Sequence, residues 1–401
     1  MSTTTDTDDA TGLPEFPADR DAHCPLAPAP EYREWRETGG LRRVNFRGHA
    51  AWAVSRYEDV TAAMTDPRIS AEVPMQQIGL GPAAQLFPRM DDPEHARLRR
   101  MLTKDFTVKR VQAMRPRLEE TANQFIDAMV ASGGPADLVQ AYALPIPSLV
   151  ISMLLGVPYD DHAFFQDITS VLMSRTATEE ERQKARGAIF RYLLDLIGKK
   201  EREPDDALIS RVAREHLQEG QLSRETLAVN GFILLNAGHE TTANMIALGT
   251  LALLENPDAL ARIRDTDDPK VVSRAVEELL RHLTIVHSLV TRVAKEDIKI
   301  GGQLVRAGDL LVMNLSAANW DPGFVSDPDR LDIDRDARGH VAFGHGVHQC
   351  LGQVLARAEL EIALPVLLRR LPGLRLAVPP EEIRFRNDMG VYGVHALPVA
   401  W

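Results

Sequence analysis

Helical stretches dominate this chain, and they predict a mainly α fold. Three observations carry that reading. Residues 223–255 are largely apolar, start at a serine and stop at Asn256-Pro257, the signals that open and close a helix. Residues 179–200 space their apolar side chains as a long amphipathic helix does. Strand signals are confined to short pairs, one at 41–46 and 51–55 around Arg47-Gly48, another within 297–312 around Gly301-Gly302 and Gly308.

The other elements follow in order. Residues 1–20 read as a disordered acidic lead. Helices are expected at 31–38, ended by Gly39-Gly40, and at 57–64, stopping near Asp66-Pro67. Residues 68–92 hold several glycines and prolines without a period and read as one long loop, a length that usually serves a function. Asp92 can cap a following helix with Pro93 at its first position, and His95 and Arg99 then share a face. Residues 115–215 alternate helical stretches with breaks such as Gly133-Gly134-Pro135 and Gly156-Val157-Pro158. Pro365 should kink the last long helix near Glu361, and residues 390–401 read as a returning loop and strand.

Composition bounds the function. The chain has 401 residues, and its hydrophobic fraction of 44% is ample for a large core. A net charge of -11 argues against a general nucleic-acid binder. Two distant cysteines make no disulfide framework, and Cys24 reads as an incidental surface thiol. No stretch is apolar for long enough to span a bilayer, and the start of the chain has no signal-peptide core. A soluble, cytoplasmic protein is expected.

The chemistry concentrates in Phe343-Gly344-His345-Gly346-Val347-His348-Gln349-Cys350-Leu351-Gly352. Helical spacing resumes directly afterwards, through Leu351, Val354, Leu355, Ala358 and Ile362. Cys350 therefore reads as a thiol at a helix start, where the macrodipole favours a thiolate. Gly344 and Gly346 would let the backbone approach a flat ligand. A thiolate on such a loop suits an iron porphyrin. Two blander readings stand beside it: a buried small hydrophobe, or a zinc cluster of His340, His345, His348 and Cys350.

The long helix carries a second signal. Its middle reads Asn236-Ala237-Gly238-His239-Glu240-Thr241-Thr242, with residues that cost helix stability. Ala237 and Gly238 leave room beside the helix, and Thr241 can bond a carbonyl one turn back. At 1.5 Å per residue the helix would be about 48 Å long. Glu278 and Arg281 form an i, i+3 pair, alone a common surface feature.

Phe343, Gly346, Cys350 and Gly352 match F-x-x-G-x-x-x-C-x-G, and the chain resembles the cytochrome P450 superfamily, in particular its soluble actinobacterial members, over most of its length. Residues 237–241 are similar to the family's [AG]-G-x-[DE]-T. The resemblance implies one P450 domain over 21–401, a large helical part with a small β-rich subdomain. It implies haem b between the 223–255 helix and the helix after Cys350, with Cys350 as axial ligand. Further cofactor contacts then fall to His95, Arg99, Ala237, Gly238, Arg292, Phe343, Gly344, His348 and Gly352. Four of these, His95, Arg99, Arg292 and His348, match propionate contacts. Glu240 and Thr241 match the acid–alcohol pair that supplies protons for O₂ cleavage. Glu278, Arg281 and Arg330 match a buried structural triad. Trp320 departs from the family, where a polar residue is expected, and His239 stands at a variable position.

The implied activity is a haem-thiolate monooxygenase taking NAD(P)H electrons through ferredoxin reductase and ferredoxin. It would act as a monomer and hydroxylate or epoxidise a small molecule. By family position Ile233, Ala237, Leu289, Val290, Val391 and Tyr392 line the substrate pocket, with the 68–92 loop and residues 164–175. This mostly aliphatic set points to an apolar natural product such as a macrolide, polyketide or terpenoid. Gln76, Gln77 or Arg89 could set specificity instead. Arg97, Arg100, Lys104 and Arg357 could make a basic ferredoxin-docking patch. Oxidative coupling, nitration and a non-catalytic haem sensor or carrier remain the alternatives.

Overall fold

The computed structural model describes residues 10–74, 86–174 and 176–401, without the side chain of Met173. The chain divides into two compact units, each assembled from separate stretches of sequence. One draws on Met1–Ala83, Pro88–His95 and Glu277–Cys350, the other on Ala84–Phe87, Ala96–Val276 and Leu351–Trp401.

The first unit holds the sheet. Its strand order is Leu41–Phe46, His49–Val54, Leu310–Met313, Thr291–Ala294 and Ile69–Ser70. Every pairing is antiparallel except that of His49–Val54 with Leu310–Met313, which is parallel. One face buries Val54, Val60, Met64, Leu311 and Val341; the other buries Phe16, Tyr32, Trp35, Val44 and Leu310. The alternating side chains of a pleated strand allow both cores. The expected strands near Gly301-Gly302 are Ile298–Ile300 and Gln303–Val305, a separate two-stranded ribbon.

The lead over 1–20 is not disordered throughout. From residue 10 the described chain packs on the sheet: Phe16 is buried, and Asn45 N donates to Pro14 O at 2.8 Å. The buried Arg20 donates to the carbonyls of Leu26, Leu283 and Thr284. Burying Phe16 offsets the entropy of ordering this segment.

The second unit is helical. Its centre is Arg224–Leu254, buried along most of its length and capped where Ser223 Oγ accepts from Thr226 N at 3.1 Å. Pro145–Leu155, Glu179–Arg202 and Gln353–Arg370 pack against it. Glu179–Arg202 starts with a capping box made by Thr178 and Glu181. Gln353–Arg370 runs on through Pro365 as one helix. Of the expected 68–92 loop, residues 75–85, including Gln76 and Gln77, lie outside the described residues, as does Arg175. The remainder contributes the Ile69–Ser70 strand and a turn of 3-10 helix at Phe87–Arg89.

Candidate active site

In the first unit the cysteine loop is closed by its own backbone. Cys350 N donates to Phe343 O and Gly344 N to Val341 O, both at 2.8 Å. Gly344 and Gly346 have φ of 72° and 70°, a region that side chains avoid. The surface they approach is protein. A Cβ on Gly346 would stand 3.0 Å from Met64 O and Thr65 Cγ2, and one on Gly344 3.3 Å from Met64 Cε. The glycines thus seat the loop on the Tyr57–Thr65 helix. Cys350 is exposed, ahead of a helix that begins at Gln353 with Gly352 as its N-cap. The zinc reading loses its geometry. Among the described residues no three His, Cys, Asp or Glu side chains gather to hold a metal, and His340 Nε2 lies 3.3 Å from Glu277 instead.

Near this loop the unit collects cationic groups. The rings of His95 and His348 pack at a tilt with centroids 4.1 Å apart, and His95 Nδ1 is 3.1 Å from Asp92 Oδ1. Asp92 therefore meets His95 by its side chain, while the helix starts at Glu94 rather than at Pro93. Arg99 lies one turn beyond His95 on the same helix, Glu94–Thr103, past the boundary of this unit. Arg292 is held by the Thr291–Ala294 strand, and burial pushes its guanidinium down to about 10. Arg89 is pushed down to about 10 as well, by burial and then by the charges of Arg47 and Arg292. Its Nη1 is buried without a hydrogen-bond partner among the described residues. Partly desolvated cations that repel one another call for an anion. The sequence offered Arg89 only as a specificity residue; its place among these cations comes from the fold.

The triad is a correction. Glu278 and Arg281 are fully buried and paired through two hydrogen bonds, at 2.7 and 2.8 Å. The arginine that joins them is Arg335, whose Nε donates to Glu278 Oε1 at 3.2 Å. Arg330 is exposed, with Nη2 3.6 Å from Asp332. It contributes its carbonyl, which accepts from Arg281 and Arg335. Arg281 also donates to the carbonyls of Asn319 and Pro328, and Asn319 Oδ1 accepts from Val341 N at 2.7 Å. This network anchors the approach to the cysteine loop. Trp320 fits within it: its indole donates to His282 O at 2.8 Å and packs at a tilt against that imidazole.

In the second unit the long helix leaves one stripe uncovered. Ala237 is exposed and Ile233, Gly238 and Thr241 are partly so, between buried flanks. Ile233, Ala237 and Thr241 are successive i+4 neighbours and share that face. Thr241 Oγ1 donates to Ala237 O at 2.6 Å. Gly238 has a packing reason of its own, since a Cβ there would meet Ile151 Cδ1 at 2.9 Å. Glu240 is buried and turned off the stripe, 2.9 Å from Arg386 Nη1. His239 is buried beside it, and burial lowers its proton affinity.

Glu359 is fully buried on Gln353–Arg370, and burial pushes its carboxyl up to about 8 against the opposing hydrogen bond from Thr242. Glu361 is paired with Arg115 at 2.8 Å. Leu289 and Val290 are partly exposed in the first unit. Val391 and Tyr392, expected to line a pocket, are at most 2% exposed, and Tyr392 stacks on Phe385. Both are covered by protein, so the pocket reading is corrected for these two side chains.

A family model described as Cytochrome P450 matches residues 32–383. The chain belongs to the cytochrome P450 family. This P450 is 52% identical to Cytochrome P450-SU2 of Streptomyces griseolus, over 96% of each chain. It is similar to CYP105P1 in complex with filipin I, with a TM-score of 0.90 and 42% identity over 97% of this chain and 99% of that one. It is also similar to the mycinamicin VIII C21 methyl hydroxylase MycCI of Micromonospora griseorubida, with a TM-score of 0.90 and 37% identity over 97% and 100%. The P450 is accordingly a monooxygenase with a haem cofactor, using O₂ and electrons derived from NAD(P)H through redox partners. The residues of each unit suit that group: in the first a thiol on a backbone-closed loop and cations for carboxylates, in the second a partly uncovered helix stripe. No helix among the described residues is long and apolar enough to cross a membrane.

Proposed function

We propose that this P450 hydroxylates or epoxidises a mainly apolar, medium-to-large natural product, with Cys350 as the iron ligand. The observation that carries the reading is the uncovered stripe of Ile233, Ala237 and Thr241 on a helix buried along most of its length. Haem, when bound, supplies the reduction and splitting of O₂ and the oxidation of substrate. His95, Arg99, Arg292 and His348 hold its carboxylates, and Arg89 adds a fifth donor whose buried charge they leave unmatched. Thr241 holds a proton at Oγ1, and Glu240, one position along, replaces it. Beside Thr241 the uncovered side chains, Ile233 and Ala237, are aliphatic, so burial of apolar surface at about 25 cal/mol per Å² supplies most substrate affinity. The relatives solved with filipin I and mycinamicin VIII support a ligand of that size.

A ferredoxin donor fits the exposed Arg100 and Lys104, on a protein that is acidic overall. Lys104 already pairs with Glu215 at 2.8 Å and Arg97 donates to Gln221 O, so Arg100 carries most of that steering. The test of the central assignment is optical. The reduced carbon monoxide complex shows the red-shifted Soret band of thiolate ligation, and Cys350→Ala loses it. Retention of the band by the variant overturns the assignment. Mass spectrometry of turnover products separates hydroxylation from coupling or nitration.

A further inference from the structure

The C-terminal hairpin over residues 384–395 is latched onto the long helix at Glu240. The hairpin is closed by Arg386 N donating to Gly393 O and His395 N donating to Arg384 O, both at 2.9 Å. From it Arg386 reaches across 146 positions of sequence to Glu240, with Nη1 2.9 Å from Oε2. Both side chains are nearly buried, at 12% and 8% exposure. The same Nη1 lies 3.4 Å from Asn244 Oδ1. Asn244 in turn donates through Nδ2 to Glu240 O at 2.7 Å and toward Glu240 Oε2 at 3.4 Å. The fit is close, because a Cβ on Gly393 would stand 1.7 Å from Asn244 Oδ1.

This arrangement does more than fill space. A buried carboxylate needs a partner, and a close ion pair holds it in one direction. Thr241 projects onto the uncovered stripe, while Glu240 is fixed on the adjacent buried flank. The two functional groups therefore do not face each other, and the direction of the carboxylate decides how a proton passes between them. We propose that Arg386 is a positioning residue for proton delivery, holding Glu240 oriented through the Arg386–Glu240–Asn244 latch. The inference rests on the reading of Glu240 as the proton-supplying acid.

The experiment compares wild type with Arg386→Lys, Arg386→Gln, Glu240→Gln and the double variant Arg386→Gln/Glu240→Gln. Hydrogen exchange read by mass spectrometry reports the hairpin in each. NADPH oxidation with a plant-type ferredoxin and its reductase, in H₂O and D₂O, reports the division of consumed oxygen between peroxide and water. Peroxide takes two protons and two electrons per O₂, and water takes four of each, so the split reads proton delivery without an organic substrate. Arg386→Gln should raise the peroxide share several-fold and change the solvent isotope effect. Arg386→Lys should retain most of the wild-type split, and the double variant should match Glu240→Gln. Wild-type values in Arg386→Gln overturn the proposal, whether or not hairpin exchange rises, and so does a double variant worse than Glu240→Gln. A wild-type split in Glu240→Gln instead removes the acid role itself and the proposal with it.

Discussion

Thr242 donates a hydrogen bond to Glu359 at 3.2 Å, joining the long helix to the helix that follows the cysteine loop. Glu359 is the acid most deeply altered by its surroundings. Burial pushes it up to about 8, so the folded protein keeps a proton there that the unfolded chain loses near 4.5. The folded state then binds more protons between those values, and stability falls as pH rises through that window, by at most about 1.4 kcal/mol per pH unit. Glu359→Gln should flatten this fall, and thermal melts between pH 5 and pH 9 (roughly the span of the two values) would read it. An unchanged slope would mean that Glu359 is ionised when folded.

The triad gives a sharp contrast between neighbours. Arg335→Ala removes a nearly buried partner of Glu278, and breaking such a pair costs about 3–5 kcal/mol. Arg330→Ala removes an exposed side chain and should stay within about 0.5 kcal/mol of wild type. Denaturant melts of both variants decide the matter; equal losses would return Arg330 to the triad.

Gly393→Ala should destabilise the protein, since its methyl would occupy the place of Asn244 Oδ1. Asn244→Ala removes that oxygen, so the double variant should recover part of the loss. Strictly additive losses in thermal melts would contradict the contact.

Electron transfer offers a fourth test. Charge reversal at Arg100 should slow reduction by an acidic ferredoxin more than reversal at Lys104, which Glu215 already neutralises. Stopped-flow reduction at rising salt would show the gap between them closing. Salt-independent rates would place the donor elsewhere.

How legible these features were depends on the range of the interaction. The long helix could be read because Ser223 and Asn256-Pro257 mark its ends locally. Glu278 and Arg281 could be paired because one helical turn joins them. Arg335 and Arg330 lie in a segment with no period, where sequence does not say which side chain turns inward. The glycines of the cysteine loop were legible as special, but the helix they rest on lies far away in sequence. Arg386 had no local signal at all, since its meaning depends on a partner beyond the reach of any periodicity. Arg89 and residues 10–20 of the lead were misread for the same reason: local polarity does not reveal burial.

The parallel pairing of His49–Val54 with Leu310–Met313 has a consequence for biosynthesis. Trp52 and Leu311 are register partners about 260 residues apart. At roughly 5–20 residues per second on the ribosome, the amino-terminal hairpin waits some 13–50 s for its neighbour. During that interval the inner edge of His49–Val54 stands unpaired, an invitation to mispairing. Yield in a foreign host should therefore respond to chaperones and growth temperature, and the first unit should reach protease resistance only after Met313 has left the exit tunnel.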